Sequence, residues 1–416
     1  ETGGAVGTQT LQGGAGIDTF TVDGAGSVTL GGQDFDGMDT LSGQGNNDIF
    51  NLNADFGGNV NGDAGDDEFN LAASQTGIVD GGADGANGDV INGTAASNAF
   101  VINAINGGTA NGTTFANVEN LNGGAAGDSF TFTGAGVLGG SIDGAGGTNS
   151  MDVSGANGAV TVDLATGAAT VLNSNAGGGF SSITEFTGDN VNDTLVGPNG
   201  GATFDTTGIN DGTVAGVTYT DFANITGGSG ADIFNLNHDV TGSVNGGDDA
   251  DTFNLAAGVI IGGSIIGGDG GTDDDELVAV GGAGPNAWVV TSDDTGTLNG
   301  QAFSDIENLT GNGNVDNFDI DAVVTGTVAG LGGNDVFDFG GATGSAGIVD
   351  GGAGTDSMTF VNRTSGVTVD MANVDEIESL TGSTLDDVFN INGNEANGIT
   401  IAGGGGTDTV AVIASS

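Results

Sequence analysis

Short phrases of alternating apolar and polar residues recur along this chain, each entered through an aspartate. "DIFNL" at 48–52 returns as "DEFNL" at 67–71, and "DIFNL" at 232–236 returns as "DTFNL" at 251–255. Alternation with a period of two is the mark of a half-buried strand, and helical spacing at i, i+3, i+4 is nowhere sustained. Between the phrases stand Gly-Gly, Asn-Gly and Asp-Gly dipeptides, which supply the positive φ angles of tight turns. A second short segment, "GNVNG" at 58–62 or "GSVNG" at 242–246, divides each interval.

The spacing predicts the fold. Asp48 to Asp67, Asp232 to Asp251 and Asp316 to Asp335 are steps of 19, while Asp18 to Asp39, Asp335 to Asp356 and Asp387 to Asp408 are steps of 21. One circuit therefore takes about 20 residues. A single strand-turn-strand-turn circuit cannot bury its own apolar face, whereas stacked circuits bury a continuous column. The expected fold is all-β, a parallel β-solenoid with Phe69 over Phe50, Asn70 over Asn51 and Leu71 over Leu52.

A longer phrase rides on this period: "FANVENLNGG" at 115–124, "FSDIENLTG" at 303–311 and "VDEIESLTG" at 374–382 each lead into an aspartate phrase. Their uneven spacing predicts loop insertions in some coils, with 146–182 and 277–302 the least regular stretches. Nothing reads as a linker, so residues 1–416 are expected to form one continuous solenoid domain.

Composition narrows the chemistry. Gly contributes 88 residues, and 55 Asp and Glu face a single Arg363 and no Lys, for a net charge of −54. Salt bridges cannot organise such a chain. Acidic, Gly-rich sequences are often disordered, but the 21 Phe fall mostly at repeating positions, which favours order. There is no Cys, so disulfides and thiolate metal sites are excluded. No apolar run is long enough to span a bilayer. The absence of a basic patch excludes nucleic acid and anionic lipid as direct partners. The sequence opens on Glu1 without a signal pattern, which fits a removed leader or part of a longer chain.

At "GGAGIDTFT" (13–21), "GGSGADIFN" (227–235) and "GGAGTDSMT" (351–359) the sequence resembles the nonapeptide of RTX proteins, secreted bacterial proteins whose β-rolls bind Ca²⁺. The Ile-Glu-Asn-Leu-Thr-Gly phrase resembles the repeat regions of giant secreted bacterial adhesins. In RTX rolls the nonapeptides run in tandem; here most copies stand alone, with Asp39 and Asp48 the nearest to a tandem pair. The resemblance implies Ca²⁺ at the motif aspartates, and the chemistry agrees: Ca²⁺ takes six to eight oxygens, which Gly and Asp turns offer as carboxylates and open carbonyls. The candidate ligands are Asp18, Asp39, Asp48, Asp67, Asp128, Asp232, Asp251, Asp316, Asp335, Asp356, Asp387 and Asp408. The competing reading has these aspartates bonded to turn amides. Stacked at about 4.8 Å per coil, the acids would reach the axial charge density of duplex DNA, roughly one charge per 1.7 Å. Such a stack must gather cations.

Parallel β-helices also house carbohydrate-active enzymes, so catalysis is the rival by analogy of fold. Its candidates are His238, Tyr219 and Arg363. His238 is expected in a solvated turn, Tyr219 at a core aromatic position, and Trp288 packed in a strand. Acids in Gly turns, Asp66-Asp67 among them, are expected to be solvated and to lack the burial that tunes a pKa. The sequence therefore points to a non-enzymatic, secreted structural protein, stabilised by Ca²⁺. It would be a filament building block or the stalk of a cell-surface adhesin, in a surface or biofilm scaffold. No capping coil is evident, so continuation or end-to-end self-association is expected. The runner-up is a surface-layer or glycan-binding module.

Overall fold

The computed structural model describes residues 8–172, 178–268, 274–392 and 398–413. Two compact units are distinguished: Glu1–Val196 with Gly216–Phe222, and Gly197–Ala215 with Ala223–Ser416. Each is a stack of short strands, predominantly parallel, and the fold is the all-β parallel solenoid that the period predicts.

In the first unit the chain alternates between two sheets. Thr40–Ser42, Asn59–Gly65 and Ile78–Asp84 pair in parallel in one. Ile49–Leu52, Glu68–Leu71, Val90–Asn92 and Asn120–Gly124 pair in the other. Each strand buries every second residue, as in the buried Phe50 and Leu52 of Ile49–Leu52. The expected register holds: Phe50 lies opposite Phe69, Asn51 opposite Asn70 and Leu52 opposite Leu71. Ring centroids of Phe20, Phe50 and Phe69 succeed one another at 4.7 and 5.1 Å, nearly coplanar in tilt. Beside them the amides form a hydrogen-bonded ladder, Asn70 to Asn51 at 3.1 Å, Asn92 to Asn70 at 2.8 Å and Asn122 to Asn92 at 2.7 Å.

The second unit repeats the arrangement. Ile233–Leu236, Thr252–Ala256, Glu276–Val280 and Asn308–Thr310 run parallel in one sheet. Asp316–Ile320, Val336–Asp338, Ser357–Thr359 and Ser379–Thr381 run parallel in another. The rings of Phe204, Phe234 and Phe253 stack at 4.6 and 4.9 Å.

The insertions differ from the loops expected. They are antiparallel meanders that stay within the sheets. Ala99–Ala104, Gly107–Ala110 and Thr113–Ala116 form one; Asn286–Ser292, Thr295–Leu298 and Gln301–Ser304, in the irregular 277–302 region, form another. The 146–182 stretch likewise holds the hairpin Thr161–Asp163 with Ala168–Ala169. The reason is local: Asn111-Gly112 and Asn299-Gly300 both have two successive positive φ angles, 50° and 84°, 53° and 86°. Such pairs close two-residue hairpins whose twist matches the flanking strands. Among the described residues no helix is long and apolar enough to cross a membrane.

If the ring column holds the stack, Phe69→Ala should cost about 3–5 kcal/mol, the usual range for deleting a buried aromatic. Urea denaturation would register this as a lower midpoint. A loss below about 1 kcal/mol would mean that the column is not a principal source of stability.

Candidate metal centre

The site begins with the backbone. Where a strand starts, its first N–H faces the neighbouring coil, and in this protein a carboxylate receives it. Asp18 N–H donates to Asp48 Oδ1 at 2.7 Å, Asp48 N–H to Asp67 Oδ1 at 2.6 Å, and Asp67 N–H to Asp89 Oδ1 at 2.7 Å. Asp89 N–H then donates to Glu119 Oε2 at 2.9 Å. Each acid thus accepts an amide from one coil and offers its own to the next.

The second unit builds the same ladder from Asp232 to Asp251, from Asp251 to Asp275 and from Asp275 to Glu307. Another runs Asp316, Asp335, Asp356, Glu378, and Asp387 donates to Asp408 at 3.1 Å. In the first unit Asn98 N–H donates to Asp128 Oδ1 and Asp128 N–H to Asn149 Oδ1.

Of the twelve expected ligands, Asp48, Asp67, Asp128, Asp232, Asp251, Asp316, Asp335, Asp356 and Asp387 are buried rungs. Asp18 is a partly buried rung and Asp408 an exposed one. Asp39 is exposed and takes only the Gln9 N–H, at 2.8 Å. The rungs Asp89 and Asp275, Asp193, which takes the Val160 N–H at 2.7 Å, the terminating Glu119, Glu307 and Glu378, and the amide rungs Asn98 and Asn149 escaped the sequence reading. Their register would have revealed them. Asp89 stands 22 residues after Asp67 and Glu119 precedes a strand aligned with Val90–Asn92, but both phrases break off at a glycine, Gly93 and Gly123, where the alternation calls for a second apolar residue.

The expectation of solvated turn acids is overturned. The turn glycine makes room for the carboxylate inside: a Cβ on Gly43 would strike Asp48 Oδ2 and the Gly62 carbonyl oxygen, and one on Gly62 would strike Asp67 Oδ2 and the Gly81 carbonyl. At Asp18, Asp128, Asp232, Asp316 and Asp387, Oδ2 accepts a turn N–H four residues earlier in the chain, as the competing reading expects. At Asp48, Asp67, Asp89, Asp335 and Asp356, Oδ2 is buried without a hydrogen-bond partner. At Gly43 and Gly62, therefore, two acceptor oxygens border the space a Cβ would fill, a place that suits a proton or a cation. Asn149 marks the requirement: its Oδ1 takes the Asp128 N–H, while its Nδ2 donates to the Ser182 carbonyl at 2.8 Å.

At Asp48, Asp67, Asp89, Asp335 and Asp356 burial is the main cause that raises the carboxyl, followed by amide bonds that oppose it and neighbouring carboxylates that add to it. Asp67 rises to about 6, and Asp89 and Asp335 to about 7. Glu119 and Glu307 also reach about 7, chiefly through burial.

Among the described residues one group gathers three acids. Single carboxylate oxygens of Asp84, Asp89 and Glu119 lie within 4.8 Å of one another. Asp89 and Glu119 are buried and Asp84 is exposed. Asp84 meets Glu119 at hydrogen-bonding range, and Asn106 Nδ2 donates to Glu119 Oε1 at 2.5 Å. A cavity of about 270 Å³ opens on Asp84, Glu119, Asn120 and Ser141. The donor set is all oxygen, its charge is uncompensated, and one oxygen of Asp89 is unpartnered, which fits a hard divalent cation such as Ca²⁺. None of the twelve motif aspartates belongs to this group.

The catalytic candidates stand as follows. Tyr219 is buried, in register with Phe186 and edge-on to Phe222. His238 is exposed in a turn, its N–H bonded to Thr206 Oγ1. Trp288 is buried and stacked on Phe318 at 5.4 Å. Arg363 is partly buried beside a cavity lined by apolar and polar side chains alike.

Raised acids hold more protons in the folded state than in the unfolded state between the ordinary carboxylate pKa, about 4, and about 7. In chelator, stability should therefore fall as pH rises through that window and level off above it. A thermal midpoint that climbs from pH 4.5 to 7.5 would contradict this. Asp67→Asn supplies the donor that Asn149 supplies naturally, so in chelator at pH 7.5 it should stabilise by roughly 1–3 kcal/mol, the cost of an unsatisfied buried group. Asp67→Ala, losing the Asp48 amide bond, should destabilise in the same denaturation assay.

No family model matches this chain, and no curated protein matches it either.

Proposed function

We propose that this protein is a non-enzymatic structural element of the cell exterior: the building block of a filament, or the stalk of a surface adhesin, stiffened by Ca²⁺. The observation that carries the reading is the repetition of three columns, stacked rings, bonded amides and buried acids, coil after coil. The interior is given to stacking, as befits an element whose task is to hold distance. Self-association end to end belongs to the reading, because a parallel stack leaves unpaired strand edges wherever it stops.

Ca²⁺ enters on two grounds. Asp84, Asp89 and Glu119 offer a convergent oxygen set, and the unpartnered rung oxygens of Asp48, Asp67, Asp335 and Asp356 leave negative charge that the single Arg cannot balance. The outside of a cell supplies that ion in abundance and the cytosol does not. The rival readings find less support. Trp288 is buried and offers no sugar-stacking face, and the His238 ring meets the Thr206 carbonyl oxygen at 3.1 Å and, among the described residues, no carboxylate that would mark a carbohydrate-active site.

Electron microscopy with sedimentation velocity, on the purified chain after chelation and again with Ca²⁺ restored, tests both parts. Extended assemblies with Ca²⁺, and a lower thermal midpoint without it, are the expected results. A compact monomer under both conditions would sink the filament reading, and a midpoint indifferent to Ca²⁺ would remove the ion from it.

A further inference from the structure

The one basic side chain among 55 acids lies where its charge is hardest to satisfy. Arg363 closes a turn in the second unit, its N–H bonded to the Phe360 carbonyl at 2.9 Å. Its Nε and Nη1 are covered from solvent and meet no hydrogen-bond partner. A guanidinium carries five donors and keeps its charge in proteins, and a covered N–H left without an acceptor costs the desolvation of that donor. Burial also holds the Arg363 pKa below its ordinary value. With so many acids in the chain, a partner carboxylate would have been easy to supply from within.

Instead Arg363 borders an open cavity of about 210 Å³ whose lining includes Phe339, Met358, Phe360 and Val367. All four are core side chains with little exposed surface. Asp370 stands on the same lining. The combination is selective: the guanidinium asks for an anion, the apolar lining for a hydrocarbon body, and Asp370 disfavours a second negative charge. The volume is that of roughly seven molecules of liquid water, which limits the occupant to a small molecule.

We propose that this cavity binds a compact monocarboxylic acid, its carboxylate accepting from Arg363 Nη2, the guanidinium nitrogen that is not covered, and its apolar body lying against Met358 and Phe360. The site is independent of the scaffold reading and of Ca²⁺. Charge-assisted bonds to a guanidinium are the strong kind, and a few placed polar groups beside an apolar wall fix the orientation of a small ligand. The net charge of −54 repels anions at a distance, so binding is best read at physiological salt, where the Debye length is about 8 Å.

The chain's single Arg makes the test direct. Labelled with ¹⁵N-arginine, the full chain gives one Nε–H resonance, and benzoate and hexanoate are titrated against it beside benzamide and hexanamide at 150 mM salt. The expected result is a saturable shift with the acids and at least tenfold weaker binding of the amides. Arg363→Met, which keeps apolar bulk, should abolish the heat of benzoate binding in calorimetry. If that variant does not fold, the comparison of acid with amide on the unaltered chain decides alone. A resonance that neither acid moves, or that amide and acid move equally, overturns the proposal.

Discussion

The bond on which the rest depends runs from the first amide of one strand to the side-chain carboxylate at the same position of the next coil. A parallel stack of two-strand coils must turn the chain sharply twice per circuit, and each turn frees amides that the ladders within the sheets do not reach. Asp67 Oδ1 takes one of these from Asp48, and because Asp67 offers its own amide to Asp89, the solution propagates. The glycine at each turn follows from it. Gly43 and Gly62 are small because a carboxylate oxygen and a carbonyl occupy the place of their Cβ. So does the phenylalanine column, since fixing the strand start fixes the register of Phe50 on Phe69.

The cost of that solution is electrostatic. Aspartates in consecutive coils are like charges brought into a dry interior, and no cation of the chain stands among them. Their pKa values rise because burial disfavours the charged form and each neighbour adds to the effect. The protein uses asparagine at some rungs, as at Asn98 and Asn149, where an amide gives the same acceptor without the charge and adds a donor. The remaining acids keep an oxygen available to whatever positive species the surroundings provide. In that sense the ladder ties the stability of the fold to its medium.

Much of the fold was legible because side-chain alternation and the 19-residue step both survive in the sequence. Phe50, Asn51 and Leu52 named their stacking partners correctly. The aspartates were found as positions but misjudged as environments: sequence pattern shows a Gly-flanked acid, and only the backbone path shows that the missing Cβ admits the carboxylate inward. Asp89 and Glu119 were invisible because the phrase required two alternating apolar residues and theirs end at Gly93 and Gly123, whereas the ladder depends on register alone. The meanders were misread as loops since Asn111-Gly112 and Asn299-Gly300 look like any other turn of this Asn-rich chain until both φ angles are known.

One feature of the ladders reaches beyond energetics. Glu119 and Glu307 each take the last amide of a ladder, while the meanders at Ala99–Ala104 and Asn286–Ser292 open the next one ahead of strands in the other sheet. The longer side chain of glutamate closes a frame and the meander begins another. A slip of one residue during folding, or an inserted coil during evolution, is thereby confined to its own frame. The architecture behaves as a series of self-contained cassettes, which is how a chain of such low complexity can lengthen or shorten without losing its place.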